Sequence, residues 1–286
     1  MTPPKIKIDE LLLKYSRKYS FDIAKEAETV FNEVQTKSTI SQIRLQLSIM
    51  PMAFSRFDIK NNSLDIFFYP GFLKPFYGIE NSHFSIRYIL KHEMQEAFEN
   101  KPSRIKIASD KIFSAVMPFF DSNSPLFELE KTSEDLMLHS KNICIDVGID
   151  RKIVLNENYA KGFLISHDIL YEKRKLEIDK IKMERMGDFI LINTDPYNLV
   201  YLILSAGRCA AVTSFMNVKG MCAYRCFISK FRTQFFNLID TLGISSKYGH
   251  EIYSELINHK PSWKTMYENS KKLIDSLEKD NVSYFN

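Results

Sequence analysis

The sequence predicts an α+β protein that is mostly helical, and three observations support this fold class. Apolar residues recur at helical spacing over most of the 286 residues. Glycine occurs only nine times, which favours long helices over repeated tight turns. Between residues 42 and 70, apolar and polar residues alternate instead, as in a small sheet. With 45% hydrophobic residues the chain can bury a substantial core, which excludes a disordered or fibrous protein.

The N-terminal part is predicted to form a small sheet between two helices. Alternating apolar residues predict the strands, and the sequence Asp58-Ile59-Lys60-Asn61-Asn62 between them is a turn signal. The predicted elements are, in order, a helix at 8–35, a strand around 43–47, a tight connection at 58–62, a strand at 63–69 and a helix from a cap at Asn81 or Ser82 to about Glu99.

The C-terminal part is predicted to be helical with one short strand. The predicted elements are helices at about 104–117 and from a cap at Thr132 or Ser133 to about Val154, a charged helix at 168–187, a strand at 188–193 and helices from 196 to about 279. Composition changes modestly near 170–190. We therefore assign residues 1–165 to one domain and residues 166–286 to a helical C-terminal region.

Charge and cysteine content favour an intracellular protein. The formal net charge of +4 does not by itself imply a nucleic acid or membrane partner. The four cysteines contain no C-x-x-C pair, and four in this length do not indicate a disulfide scaffold. The longest apolar run, 199–216, is interrupted by polar and basic residues, so we expect a buried helix and no membrane span. The charged N-terminus is unlike a signal peptide, and we expect a cytoplasmic location.

The segment Lys91-His92-Glu93-Met94-Gln95-Glu96 contains the main chemical signal in the sequence. On a helix, His92 and Glu96 lie one turn apart on the same face and can bind one metal ion. Glu93 lies beside them, where it can accept a proton from metal-bound water. This is the logic of an H-E-x-x-H helix, with glutamate at the second ligand position. Zinc accepts carboxylate oxygen, and the harder ligand set can shift the preference towards manganese or iron.

A third ligand is predicted on the helix that contains Asn142, Asp146 and Asp150. These residues are spaced by four, and they form a polar line on a helix whose other faces are apolar. His139 continues this line towards the N-terminus. Burying a charge without a partner is costly, so the line requires one, and a metal ion on a facing helix would provide it. His139 is an alternative to Asp146 as the third ligand.

In this order of elements the chain resembles the zincin-like fold. It is most similar to the metallopeptidase-like domain that is often fused to von Willebrand factor A-like domains, and the resemblance covers about residues 42–155. The resemblance implies that His92, Glu96 and Asp146 are metal ligands, that Glu93 is the general base and that Asn142 and Asp150 flank the site. It therefore implies a zinc-dependent peptidase acting on peptide or protein substrates. No D-x-S-x-S motif of a von Willebrand-type domain occurs in the chain.

Two other functions fit the same sequence. The glutamate at position 96 also fits a zincin scaffold that has lost catalysis and serves as a binding or structural protein. Residues 196–239 contain no acidic residue, and they combine basic with aromatic side chains, as single-stranded nucleic-acid grooves do. The spacing of Phe227, Phe231 and Phe235 by four residues favours a helical core instead.

Overall fold

The computed structural model describes residues 4–19, 22–34, 40–48, 53–58, 60–73, 79–99, 133–180, 183–186, 189–192, 195–216 and 224–285. It confirms an α+β protein that is mostly helical. The chain divides into two compact units, residues 1–124 with 153–169, and residues 125–152 with 170–286. The units are interleaved in sequence, because the segment 125–152 belongs with the C-terminal part.

A four-stranded sheet of order β1-β2-β4-β3 lies in the first unit. Its strands are β1 (Lys5–Ile8), β2 (Gln42–Leu47), β3 (Phe54–Asp58) and β4 (Ser63–Phe68). β2 pairs in parallel with both β1 and β4, whereas β3 and β4 form an antiparallel hairpin. A parallel pair needs a crossover connection, and the helices α1 (Glu10–Lys18) and α2 (Ile23–Val34) provide it between β1 and β2.

The predicted helix over 8–35 is wrong in two respects. Ile8 ends strand β1, and the helical segment is divided into α1 and α2. Both helices begin at aspartates whose carboxylates cap them: Asp9 accepts from the Leu11 backbone N–H at 2.8 Å, and Asp22 accepts from that of Ala24 at 3.0 Å. Side-chain caps of this kind satisfy the first amide groups of a helix, and this explains why a second helix begins directly after Asp22.

The predicted turn at 58–62 is confirmed as the connection between β3 and β4. The Asp58 carboxylate accepts hydrogen bonds from the backbone N–H groups of Lys60 and Asn61 and from the Asn61 side chain. These bonds lower the pKa of Asp58. Asn62 adopts a positive φ of 48°, a conformation that asparagine tolerates. The sequence did not indicate that two strands precede this turn, nor that β2 pairs in parallel with β4.

One face of the sheet is apolar and the other contains an ion cluster. Ile43, Leu45, Leu64 and Ile66 are completely buried. Asp65 is also buried, and its carboxylate accepts hydrogen bonds from Arg44 Nε at 2.5 Å and Nη2 at 2.8 Å. It accepts a further bond from Arg56 Nη2 at 3.2 Å. Two arginines therefore compensate the desolvation of one carboxylate at the centre of the sheet.

The long helix α3 (Ile79–Glu99) packs in the first unit against α2 and against the N-terminal half of α5 (Glu157–Lys180). Arg87 donates to the buried carboxylate of Glu26 on α2. Gly162 on α5 allows a close approach, since an added Cβ would lie 2.1 Å from the carbonyl oxygen of Phe84. Ser85 and Ser166 are hydrogen-bonded at 2.6 Å across the same pair of helices. These contacts hold α3 in place.

The second unit is built from helices and a two-stranded hairpin. It contains α4 (Ser133–Ile153) up to Lys152 and the C-terminal part of α5, followed by β5 (Met183–Met186), β6 (Phe189–Ile192), α6 (Pro196–Thr213), α7 (Arg225–Asp240), α8 (Ser246–Ile257) and α9 (Trp263–Phe285). The predictions for α4, for the strand at 188–193 and for the helical remainder are confirmed. Asp195 caps α6 by accepting from the Tyr197 N–H at 3.1 Å.

Two helices predicted for the chain after residue 100 are not confirmed with the bounds expected. The charged helix expected at 168–187 begins earlier, at Glu157, and ends at Lys180, and residues 183–186 form a strand instead. The sequence signal failed there because β5 is stabilised by pairing with β6, a contact that helical periodicity does not reveal. The helix expected at 104–117 lies outside the described residues. None of the described helices combines the length and the apolarity needed to cross a membrane.

Candidate functional site

The segment His92–Glu96 lies inside a helix, as predicted, in the C-terminal half of α3, and it belongs to the first unit. Because the helix is continuous, His92 and Glu96 lie one turn apart on one face. His92 is 6% exposed and Glu93 is 5% exposed, whereas Glu96 is half-buried. An imidazole and a carboxylate are thus buried on successive residues of one helix, which is uncommon for a solvated helix face.

Aromatic rings of the same unit surround His92. The Tyr88 ring, one turn earlier on α3, lies 5.9 Å from the His92 ring and 5.4 Å from the Phe163 ring, centroid to centroid. His167 on α5 stacks on Phe163 at 4.0 Å, and its Nδ1 lies 3.0 Å from the Phe163 carbonyl oxygen. If Nδ1 carries the proton and donates to this carbonyl, Nε2 becomes an acceptor or a metal-binding atom.

Tyr88 and His167 were not among the predicted site residues. The spacing of Tyr88 and His92 by four residues was available from the sequence and places them on one helix face. The proximity of His167 was not available, because it depends on how α5 packs against α3. Burial of these rings excludes water from one side of His92, and this strengthens electrostatic interactions there.

The predicted polar line on α4 lies in the second unit, and Arg208 of α6 is its partner. Asp150 is completely buried and accepts from Arg208 Nε at 3.0 Å and from Nη2 at 2.8 Å. Asp146 accepts from Arg208 Nη1 at 2.5 Å and is less deeply buried. The sequence correctly indicated that these carboxylates require a positive partner, and an arginine provides that charge.

The forked contact of Arg208 orients both carboxylates. A guanidinium that donates to Asp146 and Asp150 together holds both carboxylates in fixed positions. In the sequence, Arg208 is one of several basic residues in the acid-free stretch 196–239. Its role depends on contacts with Asp150 and Asp146, which lie 58 and 62 residues earlier in the sequence, and no local pattern indicates such contacts.

His139 and Asn142 complete the predicted set on α4. The His139 ring stacks on the Tyr201 ring at 4.2 Å with an interplanar angle of 15°. Burial raises the pKa of the Tyr201 hydroxyl, so that this tyrosine stays protonated beside the imidazole. Asn142 is half-buried on the same helix. The structure thus places His92, Glu93 and Glu96 on α3 of the first unit, and the other four predicted residues on α4 of the second.

The described parts of the acid-free stretch, 196–216 and 224–239, are mainly helical and bury two of the aromatic rings that the nucleic-acid hypothesis uses. Phe231 is 1% exposed and Phe235 is completely buried, as the four-residue spacing indicated, so neither ring is available to stack on a base. Arg174, also buried, directs its guanidinium to Gln234, Ser205 and Cys209 at 3.4 Å each.

Comparison with models of known protein families, with curated proteins and with solved structures found no match to this chain.

Proposed function

We propose that this protein is a metal-dependent hydrolase of the zincin type, which cleaves peptide bonds. The observation that supports this most directly is the arrangement on α3. His92 and Glu96 are correctly spaced to share one ion, and a buried Glu93 follows His92 directly. We further propose a cytoplasmic location, on the basis of the cysteine content.

The proposed ligands are His92 and Glu96 of α3, with Asp146 of α4 as the third. One imidazole nitrogen and two carboxylate oxygens suit zinc, and the two oxygens also suit manganese or iron. His139 remains the alternative third ligand. In either arrangement α4 contributes a residue, and the hydrogen bond from Arg208 orients the Asp146 carboxylate.

A divalent cation bound there would polarise a substrate carbonyl and make a water molecule more acidic. The Glu93 carboxylate would accept one proton of that water as the water oxygen adds to the carbonyl carbon, and would then transfer the proton to the amine nitrogen as the C–N bond breaks. The hydrogen bonds to Asp150 would fix the Arg208 side chain, and Arg208 would in turn orient the Asp146 carboxylate. Tyr88 and His167 would limit the access of bulk water to His92.

Metal content tests the proposal. The purified full-length protein is dialysed against excess zinc, then against metal-free buffer, and analysed by plasma mass spectrometry. We expect about one ion per chain in the wild type, and an affinity at least about 100-fold lower in His92→Ala, Glu96→Gln and Asp146→Asn. Glu99→Gln is the matched control, since Glu99 is an exposed carboxylate on the same helix. A wild type without bound metal would refute the proposal.

The role of Glu93 is tested separately from metal binding. Glu93→Gln should bind metal as tightly as the wild type, while turnover of a denatured protein substrate such as casein should fall at least about 100-fold, because the base is lost. Equal turnover by the variant and the wild type would show that Glu93 is not the base.

A second candidate is a zincin scaffold without catalysis. The ion pairs of Arg208 favour it, because this arginine already binds carboxylate oxygens of both Asp146 and Asp150. This candidate predicts a folded protein whose stability does not change with zinc. A hydrolase site would instead be stabilised by zinc, since a ligand that binds only the native state raises the melting temperature.

A further inference from the structure

A surface pocket of the second unit lies where α6 ends and α7 begins. Its volume is about 300 Å³, at the lower end of the range for small-molecule sites. Thr213, Ser214 and Met216 line it at the end of α6, and Arg225, Ile228 and Arg232 line it on α7. Neither the proposed metal ligands nor Glu93 contributes to this pocket.

The two arginines present a double positive charge to the pocket. Arg225, Ile228 and Arg232 follow an i, i+3, i+7 pattern, so they lie on one face of α7. Both arginines are exposed, and neither forms an ion pair or a side-chain hydrogen bond with any residue that the structure describes. Residues 196–239 contain no acidic residue, and the only one on α7 is Asp240 at its far end, two turns beyond Arg232.

The helix ends also favour an anion at this position. A helix C-terminus is normally negative because its last carbonyl groups have no partner. Here the carbonyls of Ala210, Ala211 and Val212 accept hydrogen bonds from Thr213 Oγ1, from Ser214 and from the Phe215 N–H. On the other side of the pocket, α7 begins at Arg225, which lines it, and the start of a helix is its positive end.

We propose that this pocket binds a phosphate monoester with a small apolar body. Two guanidinium groups match the oxygens of one dianionic phosphate, since each can donate two parallel hydrogen bonds. Met216 and Ile228 provide an apolar wall for the organic part of the ligand. The volume is suited to a ring the size of phenyl and excludes a folded protein domain.

Calorimetric titration of the full-length protein tests this proposal, with phenyl phosphate and inorganic phosphate as probes in low-salt buffer. The His92→Ala variant is titrated in parallel, so that binding at a metal is excluded. We expect phenyl phosphate to bind at least about tenfold more tightly than inorganic phosphate, because part of the ring is buried. Arg225→Gln and Arg232→Gln should each weaken phenyl phosphate binding by about tenfold or more.

Two further variants separate the pocket from general charge. Ile228→Ser should reduce the preference for phenyl phosphate without changing the affinity for inorganic phosphate. Lys271→Gln, which removes an exposed charge on α9, should change either affinity by less than about twofold. Absence of phenyl phosphate binding in the wild type would overturn the proposal, as would arginine variants that bind it normally. Oligothymidylate binding that depends on both arginines, without phenyl phosphate binding, would assign the surface to nucleic acid and also overturn it.

Discussion

Replacing Gly162 by alanine should destabilise the first unit, because α5 contacts α3 there without room for a methyl group. An ideal Cβ at this position lies 2.1 Å from the Phe84 carbonyl oxygen and 2.6 Å from the Tyr88 Cβ. An unstrained contact needs about 3.4 Å, so the two helices would have to separate by about 1 Å. Overpacking of this kind costs about 1–3 kcal/mol, and backbone atoms cannot rotate away as a side chain can.

The intrinsic preference of alanine for helices opposes this cost by up to about 1 kcal/mol. Taking about 3 kcal/mol for the backbone collision, we expect a net loss of about 2 kcal/mol, which corresponds to a melting temperature about 4–8 °C lower. Calorimetry measures this shift, and hydrogen exchange read by mass spectrometry should show faster exchange along α3 near Phe84 and Tyr88.

Gly148→Ala is the matched control, because it makes the same chemical change in the middle of α4. Among the described residues, no atom beyond its chain neighbours and its own helix backbone lies within 4 Å of an ideal Cβ at Gly148, so we expect the helix preference to dominate. This variant should be more stable than the wild type by up to about 1 kcal/mol. If Gly162→Ala is as stable as the wild type, or if both variants shift in the same direction, the close approach of α3 and α5 is wrong.

Three further predictions concern buried charges and thiols. Asp65→Asn should lower the free energy of unfolding of the first unit by about 3 kcal/mol in urea, because Arg44 and Arg56 lose their partner. Glu28→Gln, which changes an exposed carboxylate, should alter this free energy by less than about 0.5 kcal/mol, and equal losses in the two variants would contradict the role of the cluster. Arg208→Gln should destabilise the second unit by about 3 kcal/mol, because it leaves the buried Asp150 carboxylate without its partner. Adding Asp150→Asn should recover part of that loss, and a double variant less stable than Arg208→Gln would contradict the pairing. Iodoacetamide at pH 8 should modify the exposed Cys226 and leave the buried Cys144 and Cys209 unmodified, as read by peptide mass spectrometry. Burial raises the pKa of both buried thiols, that of Cys144 to about 12. The stability that the Cys144 thiol contributes is therefore complete below about pH 8.5 and is lost as the pH rises towards 12.

The sequence by itself determined the features that depend on residues close together along the chain. The mostly helical α+β class, the helix α4, the turn at 58–62 and the Asp195 cap all follow from local periodicity and capping. The one-turn spacing of His92 and Glu96 belongs to the same group, because it requires only that α3 be a continuous helix. The demand for a positive partner beside Asp146 and Asp150 was likewise visible in the sequence.

The tertiary structure alone decided which distant residues meet. It paired β2 with β4 in parallel, added β1 to the sheet edge and made Arg208 the partner of the α4 carboxylates. It also placed His167 near the Tyr88 ring and created the close approach at Gly162. The physical reason is that local propensities act over a few residues, whereas these contacts join segments that are tens of residues apart and form only when whole elements pack.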